Sequence, residues 1–468
     1  MVRNSKDCVK QRPTGLTALR IEPSVVLRDS LCLCLCFCLL ISLSAGVVRA
    51  QEVLLSEGST LKEIRATVPN ITTAELKAEL ESNPDLYIID VRTVRETNAL
   101  GGIIKAKRSM IIPRGWLEFR IADAVEDKGA PIVVYCGTNQ RSPLALLTLK
   151  RMGYTNVRNY AEGFPAWEEA GYPITTRDKA HDSFLYSKPV EVVNGVYSAI
   201  GETSPSTYEN SGHNNNLSFV VTGEGVVVFN AGGSWLLAKA LHDEIQKVTN
   251  QPVKYLVLEN GQGHAALGAS YWREQGVHII AHEDAAQEFK VRGAAILAAA
   301  RRRLGDKFYG TYLVEPDETF TTKRSIELGG VYMEALNLGP AHSPGDIMLW
   351  LPQKRVVISG DTAFHERLLP VFQETQTSEW INTWDSFEAL GAEIVIPGHG
   401  GPTNMAEVTK YTKEYLVYMR NEIGAIIENG GGLVDAYRVD QSAYEHLDTF
   451  EFLAQRNAAR IFQAMEFE

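Results

Sequence analysis

A single cysteine has the surroundings of a reactive thiol. Cys136 directly follows the apolar stretch from Pro131 to Tyr135, and a short polar loop leads from it to Ser142 and Pro143. Proline favours the first turn of a helix and a preceding serine favours the N-cap, so the loop is predicted to end at a helix N-terminus. Backbone N–H groups and the helix dipole would then favour negative charge at the sulfur, which lowers the pKa of a thiol and stabilises a thiolate or a persulfide.

The loop after Cys136 supplies the groups that would bind this anion. Its backbone amides are predicted to surround the sulfur, and Arg141 adds a positive charge next to it. We assign Cys136 and Arg141 as catalytic residues and the rest of the loop as binding residues, namely Gly137, Thr138, Asn139, Gln140 and Ser142. A buried structural cysteine at a strand end is the alternative, because free cysteines are often buried.

A second group of residues has the types that bind metal ions. They lie in glycine-containing loops that follow apolar, strand-like stretches, and they are Glu259, His264, His342, Asp361 and His399. Metal-dependent hydrolysis requires histidine and carboxylate side chains that converge and leave one position open for water. Taken singly, each histidine is more typical of a surface or capping position. The agreement of four successive strand-end loops favours a shared site, in which Asp361 is also expected to act in catalysis.

The elements that would position these groups alternate between strands and helices. In the first part of the chain, strands at 86–90 and 131–135 alternate with helices, which favours a parallel sheet. After a polar linker the alternation starts again, so we expect one domain over residues 60–178 and another over residues 188–468. In the second domain, strands are predicted at 219–221, 226–229, 253–258, 326–336 and 356–359. Helices are predicted at 283–304, at 449–465, and from a cap at Asn404 to a break at Gly430.

The N-terminus is typical of an export signal. Basic residues precede an apolar run from Leu31 to Val48, and the sequence predicts cleavage after Ala50, so that residues 1–50 form a signal peptide. A single membrane anchor is the alternative. Five of the six cysteines lie in this segment, so only Cys136 would remain in a periplasmic or secreted protein without a stable membrane anchor. The net charge of −11 argues against a nucleic-acid partner.

Residues 65–175 resemble a rhodanese domain. The resemblance rests on Asp90-Val-Arg92, on the loop from Cys136 to Ser142, and on Glu162-Gly-Phe-Pro-Ala-Trp167. It implies a persulfide carried on Cys136, a loop-closing role for Arg141, and structural roles for Asp90 and Trp167. A loop of six residues is usual for members that handle sulfane sulfur. Gly137 stands where many members have a basic residue, which puts thiosulfate turnover in question.

Residues 188–468 resemble the metallo-β-lactamase fold. His342, Asp361 and His399 match the third, fourth and fifth metal-binding motifs of that family. The first motif, H-x-H-x-D-H, corresponds to Glu259, Gly261, Gly263 and His264, so two ligands are replaced by glycine. The resemblances together imply an α/β protein, in which a rhodanese-like parallel sheet with flanking helices is followed by a metallo-β-lactamase αββα sandwich.

The expected function combines sulfur transfer with metal-dependent hydrolysis. His264, Asp361 and His399 would hold one zinc ion, while Glu259, His342 and Asp361 would form a harder set suited to iron or manganese. The substrate is expected to be a small molecule, such as a sulfur compound. Two alternatives are a second domain without metal that serves only in binding, and sulfur oxidation of the persulfide dioxygenase type.

Overall fold

The computed structural model describes residues 60–178 and 184–468. The predicted signal peptide, residues 1–50, lies outside this part of the chain. Residues Leu61–Glu468 form one compact unit. Within the described residues, none of the helices combines the length and the apolar character needed to cross a membrane.

The first domain is a parallel sheet with flanking helices. Its strands are β1 Asn70–Ile71, β2 Tyr87–Asp90, β3 Ile103–Ile104, β4 Ser109–Ile111, β5 Ile132–Tyr135, β6 Val157–Tyr160 and β7 Ile174–Thr175. Its helices are α1 Leu61–Thr67, α2 Thr73–Ser82, α3 Val94–Ala99, α4 Leu117–Ala124, α5 Ser142–Arg151 and α6 Gly163–Glu169. The sheet has the order β1-β6-β5-β2-β4 with all pairs parallel, and β3 pairs with β7 in a separate ribbon. The sheet therefore has the predicted topology, with Cys136 at the carboxyl end of a central strand.

Buried ionic and capping contacts fix the ends of the first domain's elements. The carboxylate of Asp90, at the end of β2, accepts hydrogen bonds from the Arg92 guanidinium at 2.6 and 3.0 Å, and both side chains are fully buried. Thr93 caps α3, since its hydroxyl accepts from the Glu96 amide while the Glu96 carboxylate accepts from the Thr93 amide. This capping box orients Glu96 towards the cysteine loop.

The second domain contains two sheets. The first has seven strands, β8 Val190–Val193, β9 Val196–Ala199, β10 Leu217–Val221, β11 Val226–Phe229, β12 Val253–Leu258, β13 His278–His282 and β14 Glu318–Phe320. The second has five, β15 Lys323–Leu328, β16 Val331–Leu336, β17 Met348–Leu351, β18 Val356–Phe364 and β19 Ile394–His399. In each sheet the strands lie side by side in chain order. Antiparallel and parallel pairs both occur, so each sheet is mixed.

Helices cover the outer faces of these two sheets. They are α7 Trp235–Val248, α8 Gly263–Ala266, α9 Ala269–Glu274, α10 Glu283–Leu304, α11 Thr377–Ala389, α12 Met405–Tyr411, α13 Lys413–Glu428, α14 Leu433–Ala436 and α15 Phe450–Met465. One apolar core lies between the sheets and includes Val227, Val257, Met333 and Ile358. Separate cores lie between each sheet and its helices. The arrangement is the expected αββα sandwich.

Two predicted elements of the second domain are each divided in the structure. The strand predicted at 326–336 is a hairpin of β15 and β16, because the backbone turns at Gly329 and Gly330, which both have positive φ. The helix predicted between Asn404 and Gly430 is divided at Thr412, where α12 ends and α13 begins. The Thr412 hydroxyl accepts a hydrogen bond from the Phe364 amide at 3.0 Å, which ties this break to strand β18.

The two domains share a tightly packed interface. Ile103 of the first domain belongs to an apolar core of the second. The Tyr309 hydroxyl donates to Asn98 Oδ1 at 2.6 Å. Gly305 has φ of 53°, and a Cβ at this position would lie 1.9 Å from the Lys107 carbonyl oxygen. The backbones of the two domains therefore meet too closely here for any side chain.

Candidate functional site

The sulfur of Cys136 lies inside the loop that leads to α5. The residue is only 1% exposed, and its Sγ lies 3.5 Å from the Ser142 hydroxyl. Burial raises the pKa of the thiol, but hydrogen bonds from the Ser142 hydroxyl and from the amides of Ser142, Arg141 and Thr138 outweigh it and lower the pKa below its ordinary value. The buried sulfur is therefore surrounded by donors that stabilise negative charge.

Ser142 differs from its predicted role as an N-cap. Helix α5 begins at Ser142 itself, with Arg141 at the N-cap position and no side-chain cap. Because the Ser142 hydroxyl lies next to the sulfur, it stabilises the thiolate instead of the helix end. The prediction that Pro143 occupies the first turn agrees with the structure.

Arg141 acts on the loop more than on the sulfur. Its guanidinium donates two hydrogen bonds to the Glu96 carboxylate, at 2.6 and 2.8 Å. Arg141 and the Thr93 amide together lower the pKa of Glu96 to about 2. This bidentate contact joins the loop to α3, and the nearest donor that Arg141 gives the sulfur is its backbone amide.

The middle of the loop is fixed by contacts with neighbouring elements. Asn139 has φ of 52°, its carbonyl accepts from Arg65 Nε at 2.6 Å, and its Oδ1 accepts from Asn159 at 3.0 Å. At Gly137, a Cβ would meet only Leu100, at 3.9 Å. The structure therefore has room at position 137 for the larger basic side chain that many rhodanese domains carry.

Three of the predicted metal ligands meet in the second domain. His264 Nε2 lies 3.3 Å from Asp361 Oδ2, and His399 Nε2 lies 3.3 Å from Asp361 Oδ1. One donor atom from each residue lies within 4.8 Å of the other two. Ligands at the zinc bond length of about 2.0 Å in a tetrahedron are separated by about 3.3 Å. The spacing of these donors therefore fits one ion.

Glu259 and His342 lie on the same side of Asp361 as His264, whereas they were expected on the opposite side. Glu259 Oε1 accepts from His264 Nε2 at 2.8 Å, and His342 Nδ1 lies 3.6 Å from Asp361 Oδ2. The amide of Gln262 contacts the same Nδ1 at 3.0 Å. Glu259 Oε2 and His342 Nε2 are buried without a hydrogen-bond partner within the part of the chain described. Gln262 thus contacts the His342 nitrogen that is nearest to Asp361.

The positions of the two missing ligands are closed by helix α10. A Cβ at Gly261 would lie 2.6 Å from the Ala285 carbonyl oxygen, and one at Gly263 would lie 2.9 Å from Ile296. Both Ala285 and Ile296 belong to α10. Neither position can therefore carry a ligand side chain, so the donors that meet at Asp361 among the described residues fit one ion and not two.

Burial and the neighbouring charges shift the pKa values of the cluster residues in opposite directions. Burial raises the pKa of Asp361, but His264 and His399 outweigh it and hold the pKa well below its usual range. Burial lowers the pKa of His264, but Asp361 and Glu259 raise it to about 10. Burial lowers the pKa of both His342 and His399 to about 4. The protonated His264 imidazole is thus the cation next to two buried carboxylates, and a metal ion bound there would replace its proton.

A contact outside the cluster orients His399. Its Nδ1 donates a short hydrogen bond to the Asn214 carbonyl, which directs Nε2 towards Asp361. Arg367 NH1 lies 3.2 Å from the same Nδ1, and Arg367 Nε is buried without a hydrogen-bond partner among the residues described. Arg367 is therefore a buried cation next to the cluster with unused donor capacity.

The cluster opens into a cleft of about 490 Å³. His264 lies at this opening, with 13% of its side chain exposed. Three arginines line the cleft, namely Arg303, Arg367 and Arg456, and apolar groups form much of the remaining wall, including Ile296, Phe372, Phe452 and Leu453. Such a cleft suits a substrate with one anionic and one apolar part.

Several of these residues were not predicted from the sequence. Gln262 lies inside the first motif, but an amide at that position has no recognised meaning. Arg367 follows β18 by three residues, and Asn214 acts through its carbonyl, which no residue type would indicate. Arg303 and Arg456 lie on helices far apart in sequence from the motifs, so no local signal marks them.

Comparisons with known proteins support two families in one chain. Residues 72–170 match the profile of the rhodanese-like domain, and residues 210–399 match that of the metallo-beta-lactamase superfamily. A sulfurtransferase of Allochromatium vinosum is 31% identical over 107 residues, which are 23% of this chain and 94% of that protein. A linear primary-alkylsulfatase of a Pseudomonas species is 21% identical over 236 residues, which are 42% of this chain and 44% of that protein.

Among solved structures, a metallo-beta-lactamase from Pontibacter korlensis is similar with a TM-score of 0.41 and 19% identity, over 49% of this chain and 98% of that one. The chain spans less than half the length of the alkylsulfatase but nearly all of the sulfurtransferase. Both of the matched families contain enzymes. The chain therefore belongs to the rhodanese-like family through residues 72–170, and over residues 210–399 it matches the profile of the metallo-beta-lactamase superfamily.

Proposed function

We propose that this protein is an exported enzyme with a persulfide site at Cys136 and a one-metal hydrolase site at His264, Asp361 and His399. The observation that carries the second site is the convergence of three donor atoms within 4.8 Å at the inner end of a cleft. Two imidazoles, one carboxylate and a water would complete a catalytic zinc site. Iron or manganese is the alternative, since Glu259 would add a hard oxygen ligand.

For the hydrolase site, we propose a sulfate ester with an alkyl chain as substrate. The similarity to a linear primary-alkylsulfatase supports this class of substrate. The sulfate would contact Arg367 and the other two arginines, while the chain would lie against Phe372 and Phe452. A bound ion would supply activation of water at the cluster.

The residues around the cluster have separate tasks in this proposal. Glu259 Oε1 accepts from His264 Nε2 without the ion and would give up this hydrogen bond when Nε2 binds the ion, whereas Glu259 Oε2, which has no hydrogen-bond partner in the described structure, can take a proton from water. Asn214 keeps His399 in the correct tautomer. Arg367 offers its unused Nε to the negative charge that develops on the sulfate oxygens.

In the first domain, the Cys136 thiolate attacks the outer sulfur of a small-molecule persulfide, R–S–SH. A new S–S bond forms on Sγ, the S–S bond of the donor breaks, and the thiolate R–S⁻ leaves with the bonding electron pair. The amides of Thr138, Arg141 and Ser142 then stabilise the persulfide anion. Persulfide formation on Cys136 therefore needs no metal.

Metal analysis of the purified chain without residues 1–50 tests the hydrolase site. We expect close to one zinc ion per chain and release of sulfate from a linear alkyl sulfate. His264→Ala and His399→Ala should lose both the metal and the hydrolysis, whereas His446→Ala, an exposed histidine outside the cluster, should keep both. A protein that contains no zinc, iron or manganese would exclude the hydrolase.

A non-catalytic second domain is the competing function. It is favoured by the packing of α10 into the positions of two ligands, which a binding domain would tolerate without loss. In that case Cys136→Ser would abolish the only measurable activity, and the two histidine variants would behave as the parent protein. Sulfur oxidation of the persulfide dioxygenase type is disfavoured, because Glu259 stands where that family has histidine.

Export is the remaining part of the proposal, with residues 1–50 as the signal. It is supported by the apolar run from Leu31 to Val48 and the small residue Ala50 at its end. N-terminal sequencing of the protein from the periplasm or the medium should begin at Gln51. A product that retains the apolar run in a membrane fraction would indicate an anchor instead.

A further inference from the structure

A second cavity, of about 290 Å³, lies between the two domains. The first domain contributes Trp116 and Arg120, and the second contributes Arg301, Phe308 and Tyr312. This cavity is separate from the catalytic cleft, although helix α10 borders both. Since neighbouring residues of one helix line different cavities, the last turns of α10 form part of the wall between them.

Two arginines meet in this cavity without an acidic partner. Among the described residues, neither Arg120 nor Arg301 has a carboxylate within salt-bridge distance, whereas Arg177 at the interface pairs with Glu274. Arg120 lies over the ring of Trp116, with its Cζ 4.7 Å from the ring centroid. Arg301 is half-buried, and burial together with the charge of Arg120 lowers its pKa. Two like charges in a partly desolvated space favour the binding of an anion between them.

The rest of the cavity wall is aromatic and aliphatic. Trp116 is 52% exposed and Tyr312 is 42% exposed, which is unusual for side chains of this size. Phe308 is buried behind them. Exposed aromatic surface at the mouth of a cavity favours a ligand with an apolar body, because binding removes that surface from water.

We propose that the cavity between the domains binds a small organic anion, with its negative group between Arg120 and Arg301 and its apolar body against Trp116, Phe308 and Tyr312. The ligand class is an aryl or alkyl sulfonate, carboxylate or related monoanion of a size that fits about 290 Å³. Because both domains supply cations and apolar wall, the ligand binds the assembled protein and not either domain alone.

Isothermal titration calorimetry of the chain without residues 1–50, with 2-naphthalenesulfonate as the ligand, tests this site. The matched neutral compound is 2-naphthalenesulfonamide, which has the same ring system without the charge. We expect the sulfonate to bind at one site, and Arg301→Gln and Arg120→Gln each to weaken it about tenfold, the effect of losing one charge-assisted hydrogen bond. Arg460→Gln, which changes an exposed arginine of α15 outside both cavities, should bind as the parent does.

A separate variant distinguishes binding in the catalytic cleft from binding in the cavity between the domains. A second titration event that disappears in Arg456→Gln belongs to that cleft and leaves the first event unchanged. The proposal is wrong if the neutral sulfonamide binds as tightly as the sulfonate, or if both arginine variants bind like the parent protein. Should Arg301→Gln fail to fold, Arg120→Gln decides alone, because Arg120 is exposed on α4.

Discussion

At Cys136, one hydroxyl group offsets much of the cost of burying a thiolate. We expect Ser142→Ala to raise the pKa of Cys136, because the Ser142 hydroxyl is the strongest of the contacts that lower it. On acidification, the thiolate of the variant would then be protonated at a higher pH than that of the parent protein. The rate of persulfide formation would fall at that higher pH as well. Ultraviolet absorbance of the thiolate, followed as the pH is changed, measures the pKa of Cys136. The Cys136→Ser variant gives the absorbance change that comes from tyrosine alone.

The same pKa has a defined effect on stability. The folded pKa lies below the unfolded value, so the thiolate contributes stability above the unfolded pKa, and this contribution is lost as the pH falls through the folded pKa. An unchanged titration in Ser142→Ala would mean that the loop amides alone stabilise the anion.

At Gly261, a glycine stands in place of a metal ligand, and the packing around it leaves no space for a side chain. We expect Gly261→Ala to destabilise the protein by about 1–3 kcal/mol, because the new methyl group meets the Ala285 carbonyl in a packed region. Gly432→Ala, where a Cβ meets nothing within 4 Å, should change the free energy of unfolding by less than about 1 kcal/mol. Urea denaturation measures both, and equal effects would contradict the steric explanation.

The sequence indicated the residues of the metal cluster more fully than their surroundings. Glu259 and His342 could be identified because each was expected in a loop after a strand. Asp361 and His399 were expected in such loops as well, but they lie within β18 and at the end of β19. The replacement of two ligands by glycine was visible as well. That Ala285 and Ile296 of a helix fill the freed space depends on tertiary packing, which no local pattern encodes.

Among the elements of the first domain, strand β2 depends on a buried ion pair at its end. We expect Asp90→Asn to cost about 3–5 kcal/mol, because it leaves the fully buried Arg92 guanidinium without its counter-charge. Asp85→Asn removes an exposed partner of Arg108 and should cost at most about 1 kcal/mol. Thermal or urea unfolding compares the two, and a similar cost for both would contradict the importance of burial.

The ends of helices and strands differ in whether the nearby sequence predicts them. The break at Gly329 and Gly330 was present in the sequence as a glycine pair, and a strand across 326–336 was predicted in spite of it. The break at Thr412 had no such signal, because it depends on a hydrogen bond from Phe364 in a strand almost fifty residues earlier. Helix α10, by contrast, has the predicted bounds, since its composition alone favours a helix.

For the whole molecule, Gly305 is the closest point of contact between the domains. We expect Gly305→Ala to lower the melting temperature and to uncouple the unfolding of the two domains, because a Cβ would lie 1.9 Å from the Lys107 carbonyl oxygen. Gly276→Ala introduces a side chain at a similar positive φ but in open space, so it reports the backbone strain of about 1–3 kcal/mol alone. Differential scanning calorimetry should show two transitions only for Gly305→Ala.

The interface as a whole could not be predicted from the sequence. Tyr309 and Asn98, or Arg301 and Arg120, are separated by roughly two hundred residues and form no motif. The polar stretch between the domains suggested independent units, whereas the structure packs residues 61–468 as one compact unit. Short motifs thus allowed the family of each domain to be predicted, but they did not allow the packing of the two domains to be predicted.

Helix α10 occupies both vacated ligand positions, and its far end borders the cavity between the domains. A reversion at either glycine would therefore collide with a helix that the rest of the protein holds in place. A ligand side chain introduced at either glycine could reach the cluster only if α10 moved away first. An engineered two-ion site in this protein would therefore require substitutions in α10 together with the new ligands.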